Sequence, residues 1–252
     1  MFKKFTFSVL ALLGTVALLP LAAAFEAHVI NVTAQIENAL FVHPQSLRFG
    51  TVFPQEYFES SFFISFSDSF SSETQTRDRG VEYRLAQKPK PRPEKVTELG
   101  GALAARDWCH SHIPDPIGTT YDPNNPNWQA YLVNCYPTLC PYLSKHPDNL
   151  PSTGPNANND TGLPAFHNPD TDFATGQLVK FDANGTTIGN DPADMWTLDL
   201  PVPCFKGQCA QDWSDFVKKH NPLANAEDYK APRGMSGQVF GCDVWVEVTS
   251  IF

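Results

Sequence analysis

His110 and His112 flank one serine in the string Cys-His-Ser-His, a spacing that puts both imidazoles on the same side of a β-strand. Such a pair is half of a divalent-metal site. With no further ligand at a fixed spacing, an exposed polar loop beside Cys109 is the preferred reading. The string FDANGTTIGND has Asp182, Asn184 and Gly185 placed like the first half of a calcium loop. It lacks the third oxygen ligand and the closing glutamate, so a plain Asx turn at Asn184–Gly185 is preferred. Zinc-peptidase helix, serine elbow and glycine-rich phosphate loop are all missing from the sequence. No catalytic residue, metal ligand or cofactor is therefore assigned, and the chain is read as a non-enzyme.

Six cysteines remain: Cys109, Cys135, Cys140, Cys204, Cys209 and Cys242. Two pairs have four residues between their cysteines, in CYPTLC and CFKGQC, which is not the C-x2-C of most zinc knuckles. An even count in a chain with an export signal argues for disulfides, and sequence alone does not choose among the allowed pairings. Trp108, Trp128 and Tyr131 could stack on sugar rings, but aromatics more often pack a core. Asn31, Asn159 and Asn184 each open an N-x-T sequon, a glycan acceptor in a eukaryotic secretory route and without consequence in a bacterium; the bacterial reading is preferred.

The export signal is the N-terminus itself. Lys3 and Lys4 precede the apolar run Val9–Leu21, and Ala22 and Ala24 fit a small-residue cleavage rule. Cleavage after Ala24 is expected, with Ala27 as the alternative. Residues 1–24 are then a signal peptide, and no later stretch is apolar enough to span a bilayer. The formal charge is −9, and losing those two lysines makes it −11. An acidic exported chain is a poor partner for nucleic acid, which needs a basic face.

What would hold these residues in place divides into three parts. Residues 25–88 read as strands. AHVINVTAQI is β-branched and free of glycine and proline, and SLRFGTV and YFESSFFISF read as a hairpin-like pair around Pro54–Gln55. VEYRLAQ puts Val81, Tyr83 and Leu85 on one face and Glu82, Arg84 and Gln87 outside or at the end. Residues 89–194 open on KPKPRPEK and are dense in Pro, Asn, Asp and Gly, so a loop-rich, disulfide-stapled insertion is expected, with a helical turn near GGALAARDW. Residues 195–252 return to strands around one short helix in AQDWSDFVKKH, where Trp213, Phe216 and Val217 share a face and Lys218, Lys219 and His220 meet the C-terminal dipole. Neither flank alone has enough strands for a stable sheet, so both should build one discontinuous domain over 25–252, a mainly β, Ig-like or jelly-roll-like antiparallel sandwich.

The signal segment runs into AAAFEAHVINVTAQIENAL, with an Ala-Phe start to the mature chain and a β-prone stretch behind it. Over residues 15–66 this resembles the exported TasA/camelysin group of biofilm-matrix proteins. The resemblance implies a jelly-roll-like sandwich after the signal peptide and a mature N-terminal segment able to pair with a neighbouring subunit. The six cysteines and the long insertion depart from that group, and no metal-site motif is present to receive its peptidase label. The expected function is binding or self-assembly at the cell surface or in the extracellular matrix, by strand addition through residues 27–36 or with another surface component. The rival expectation is a secreted hydrolase or carbohydrate-binding module with its site in 89–194.

Overall fold

A computed structural model describes residues 36–72, 77–118, 120–122, 124–148, 160–180 and 191–252. The expected cleavage site at Ala24 and residues 27–35 of the expected strand lie outside these residues, while Ile36 is exposed and in no strand. Among the described residues, seven strands carry the fold: β1 (Leu40–His43), β2 (Tyr57–Phe66), β3 (Gly80–Pro89), β4 (His146–Pro147), β5 (Ala174–Val179), β6 (Ala193–Pro201) and β7 (Cys242–Ile251). They form two antiparallel sheets, ordered β1-β2-β6-β4 and β5-β3-β7. Five short helices accompany them among the described residues: α1 (Asp68–Ser71), α2 (Pro93–Glu98), α3 (Ala102–His112), α4 (Pro126–Asn134) and α5 (Trp213–His220). No helix among the described residues is long and apolar enough to cross a membrane.

The alternation in β2 sets the register of the first sheet. Phe62, Ile64 and Phe66 turn inward, opposite Trp196, Asp194 and Leu40 on the neighbouring strands. Val81, Tyr83 and Leu85 on β3 and Ala174 and Leu178 on β5 join the same buried cluster, so both sheets feed one core. A second cluster lies under α5, where Trp213 and Val217 pack with Tyr142, Phe166 and Tyr229. A third gathers Trp128, Tyr131 and Met235 around Cys109 and Cys135. Fully burying one such large side chain contributes about 2–3 kcal/mol.

Four expectations need correcting. Leu47–Val52 forms no strand: Gly50 sits at φ +75°, in the left-handed region, and the partners of β2 are β1 and β6. The stretch joins cores instead, with Leu47 against the first cluster and Phe49 and Val52 against the second. One short helix becomes five, because α1, α2 and α4 begin at caps or prolines whose helical runs are too brief for a periodic pattern. The middle of the chain is not loops alone. It supplies β5, an edge of the second sheet, in which the Tyr83 ring packs over Gly176 in the space a Cβ would need. Gln87, expected outside or at the strand end, is buried, and its amide donates to the Leu143 carbonyl at 3.2 Å.

Candidate functional site: the open edge of the second sheet

β7 is the longest edge strand, at ten residues against two for β4, four for β1 and six for β5. The flank of β5 is occupied, since Thr161 pairs with Thr175 and Asp191 pairs with Val179 through reciprocal main-chain bonds of 2.8–3.1 Å. Before β7, the Gly241 carbonyl accepts from the Leu139 amide at 3.0 Å and the Gly241 amide donates to the Pro137 carbonyl at 2.9 Å. From Cys242 to Ile251, β3 is the only strand neighbour of β7 among the described residues. An edge of that length leaves a row of main-chain groups free to pair.

The core face of β7 is also incompletely covered. Val244, Val246 and Val248 oppose Gln87, Leu85 and Tyr83, the inward residues of β3. The register shifts between Glu82 and Tyr83, so Thr249 is an extra residue and Ile251, not Ser250, comes to oppose Val81. Val248 is nevertheless 44% exposed and Ile251 49%. Charged side chains often guard such edges, but here they turn back to β3. Glu247 meets Arg84 at 2.7 Å and Lys88 at 3.8 Å, and Asp243 meets Lys90 at 2.7 Å.

Beyond the edge, two polar clusters stand out. His146 Nε2 lies 2.8 Å from the Asp199 carboxylate on the outer side of the first sheet. The bond to Asp199 raises the imidazole above its ordinary value. Burial works against the Asp199 charge, yet hydrogen bonds from His146 and Ser144 outweigh it and hold the carboxylate below its usual range. Tyr57 joins the group and stacks on His220 at 5.1 Å; burial and Glu59 push its phenol up. The Ser144 hydroxyl accepts from the Asp199 amide at 3.1 Å, so it is engaged with Asp199 and no hydrogen bond to the imidazole activates it.

The other cluster is buried. Asp194 takes a hydrogen bond from the Tyr83 hydroxyl, and burial, then the charge of Asp160, lifts its carboxyl to about 8. Asp148 and Asp191 add smaller repulsions. Among the described residues, no group of three or more His, Cys, Asp or Glu side chains is arranged to hold a metal ion.

The residues singled out from sequence go to separate places. The cysteines pair as Cys109–Cys135, Cys140–Cys242 and Cys204–Cys209. His110 and His112 lie on α3, not on a strand, and residues two apart on a helix do not face each other. His112 stacks on Trp108 at 4.1 Å, and His110 stands 3.8 Å from Asp170. Trp128 and Tyr131 are core residues, and Trp108 carries the Lys95 ammonium 4.2 Å from its ring centre. Asp182, Asn184, Gly185, Asn31 and Asn159 lie outside the described residues. Sequence reasoning missed Tyr83–Asp194 and His146–Asp199. The first had a signal, because Asp194 shares the parity of Trp196 and Leu198 in an alternating strand. The second had none, since β4 is only two residues long.

No family model matches the chain, and no curated protein or solved structure matches it significantly.

Proposed function

We propose that the chain is a non-enzymatic exported protein, an Ig-like or jelly-roll-like β-sandwich, that works at the cell surface or in the extracellular matrix by self-assembly. Residues 27–36 of one copy pair along β7 of the next. The observation that carries this reading is the ten-residue edge whose core-facing Val248 and Ile251 are half-exposed. The proposed donor complements it. In an extended conformation Ile30, Val32, Ala34 and Ile36 fall on one face, and the segment has no proline to interrupt a ladder. Donation from one copy to the next is head-to-tail, does not close, and grows into a fibre. The resemblance of residues 15–66 to TasA/camelysin matrix proteins supports the same reading, and three disulfides are compatible with an oxidising, extracellular setting.

A secreted hydrolase or carbohydrate-binding module in 89–194 is the weaker reading. Trp128 and Tyr131 are committed to packing, and Trp108 is covered by Lys95 and His112. The test is a titration of a synthetic 27–36 peptide against protein lacking residues 25–36. Saturable binding that disappears when Val248 and Ile251 are both changed to Lys supports strand addition. A folded acceptor that ignores the peptide removes it.

A further inference from the structure

Leu40 opposes Phe66 at the end of β2, and Val81 opposes Ile251 at the end of β7. These two ends coincide. Tyr83 bonds to Asp194, which opposes Ile64, and Ile64 opposes Val42. Val248 in turn opposes Tyr83, so Val42 and Val248 stand at one level of the shared core. They also stand on one side of it. The other two edge strands, β4 and β5, are laced together by the 160–163 segment through the Lys145–Leu163 and Thr161–Thr175 bridges. β1 and β7 are therefore the two lips of the opposite side. Ala39, Leu40 and Val42 on one lip and Val244 and Val246 on the other pack against the same buried cluster.

The chain leads into β1 at the mouth between these lips. The Ala39 carbonyl accepts from the Ser67 amide at 2.9 Å, and the first sheet stops there, because Ser67 caps α1. Upstream of Ala39 no more of β2 is left to pair with. β7 ends at the same mouth, with Val248 and Ile251 half-exposed. Facing sheets pack about 10 Å apart, and three extended residues reach about 10 Å. Glu37, Asn38 and Ala39 thus suffice to cross from one lip to the other. The ten residues of 27–36 then match the ten of β7. Because β1 starts at the mouth and runs inward, a segment that arches across it lies along β7 in the same chain direction, with residue 27 towards Cys242 and Ile36 towards Ile251.

We propose that in the free monomer residues 27–36 close on β7 of their own chain as a parallel strand, and so cap the edge that a second copy uses in assembly. The cap rests on the strand-addition reading and adds its regulation. The same ten residues serve as cap within one molecule and as donor between two, and the two pairings exclude each other. In dilute protein the tether favours the cap, since a short linker holds the segment at an effective concentration on the order of millimolar. Assembly then requires the cap to leave, and the apparent affinity of β7 for an incoming strand falls with the fraction of molecules that are open. While it is closed, the cap keeps the monomer from indiscriminate edge pairing.

The test titrates the synthetic 27–36 peptide against two dilute, monomeric acceptors, protein from Phe25 and protein lacking residues 25–36. The cap predicts binding at least about tenfold tighter to the truncated form. It also predicts that β7 amides pointing away from β3 are protected from exchange in the dilute monomer from Phe25. Val32→Pro removes a ladder N–H and should make those amides exchange at least about tenfold faster, with β3 amides unchanged. If the truncated form does not fold, exchange in Val32→Pro decides alone. Equal peptide affinity for the two acceptors, or β7 amides that exchange freely in the dilute monomer or are unmoved by Val32→Pro, overturns the cap and leaves donation between copies intact. A folded truncated acceptor that binds no peptide removes both. Protected β7 amides in a protein that never lengthens with concentration keep the cap and remove assembly.

Discussion

Trp196 Nε1 donates to the Tyr83 hydroxyl at 2.7 Å, and that hydroxyl donates on to Asp194. The chain crosses from β6 in one sheet to β3 in the other through the apolar core, with the two rings edge-to-face at 6.4 Å. Tyr83→Phe removes the acceptor for a buried indole N–H and the donor to a buried carboxyl. It should lower the free energy of unfolding by about 1–3 kcal/mol in a urea titration.

Asp194 itself makes the fold alkali-sensitive. Burial raises its carboxyl to about 8, so the folded state keeps a proton that the unfolded chain releases in the ordinary carboxylate range. Stability from this group is complete below that range and is lost as pH climbs to about 8. Asp194→Asn keeps the acceptor oxygen and does not titrate. Between about pH 5 and pH 8 the unaltered protein should lose about 3–4 kcal/mol relative to the variant, read from paired denaturation curves.

The three disulfides should differ in worth. Cys140–Cys242 closes a separation of 102 residues, and Cys204–Cys209 one of 5. By chain entropy, removing the first should cost about 4–5 kcal/mol and the second about 2 kcal/mol. Thermal unfolding of the two double-alanine variants gives the order, and a reversed order would place the stabilisation in the native state instead.

The sheets are long-range by construction. β2 pairs with β6 from Tyr57↔Pro201 to Ser65↔Ala193, and β3 with β7 from Val81↔Ile251 to Pro89↔Cys242. A fragment of residues 25–88 loses both partners and should show no cooperative thermal transition by circular dichroism. A sharp transition would mean that the N-terminal flank carries its own core.

Period-two patterning made the strands legible wherever one face was apolar. Phe62, Ile64 and Phe66, then Trp196 and Leu198, announce β2 and β6, and α5 is equally plain from Trp213, Phe216 and Val217. β5 was not legible, because its ATGQLV run is buried on both faces and its glycine answers to the Tyr83 ring. That β7 has no strand neighbour beyond β3 among the described residues was not legible either. Which strand ends without a neighbour depends on sheet order, and that order is fixed by pairings between residues far apart in the chain.

Assembly is the central claim, and light scattering with electron microscopy on oxidised protein beginning at Phe25 tests it most directly. Strand addition predicts particles that lengthen with concentration, and it predicts that deleting residues 25–36 or changing Val248 and Ile251 to Lys leaves a folded monomer. Protein from Phe25 that stays monomeric as concentration rises, with or without calcium, would contradict it.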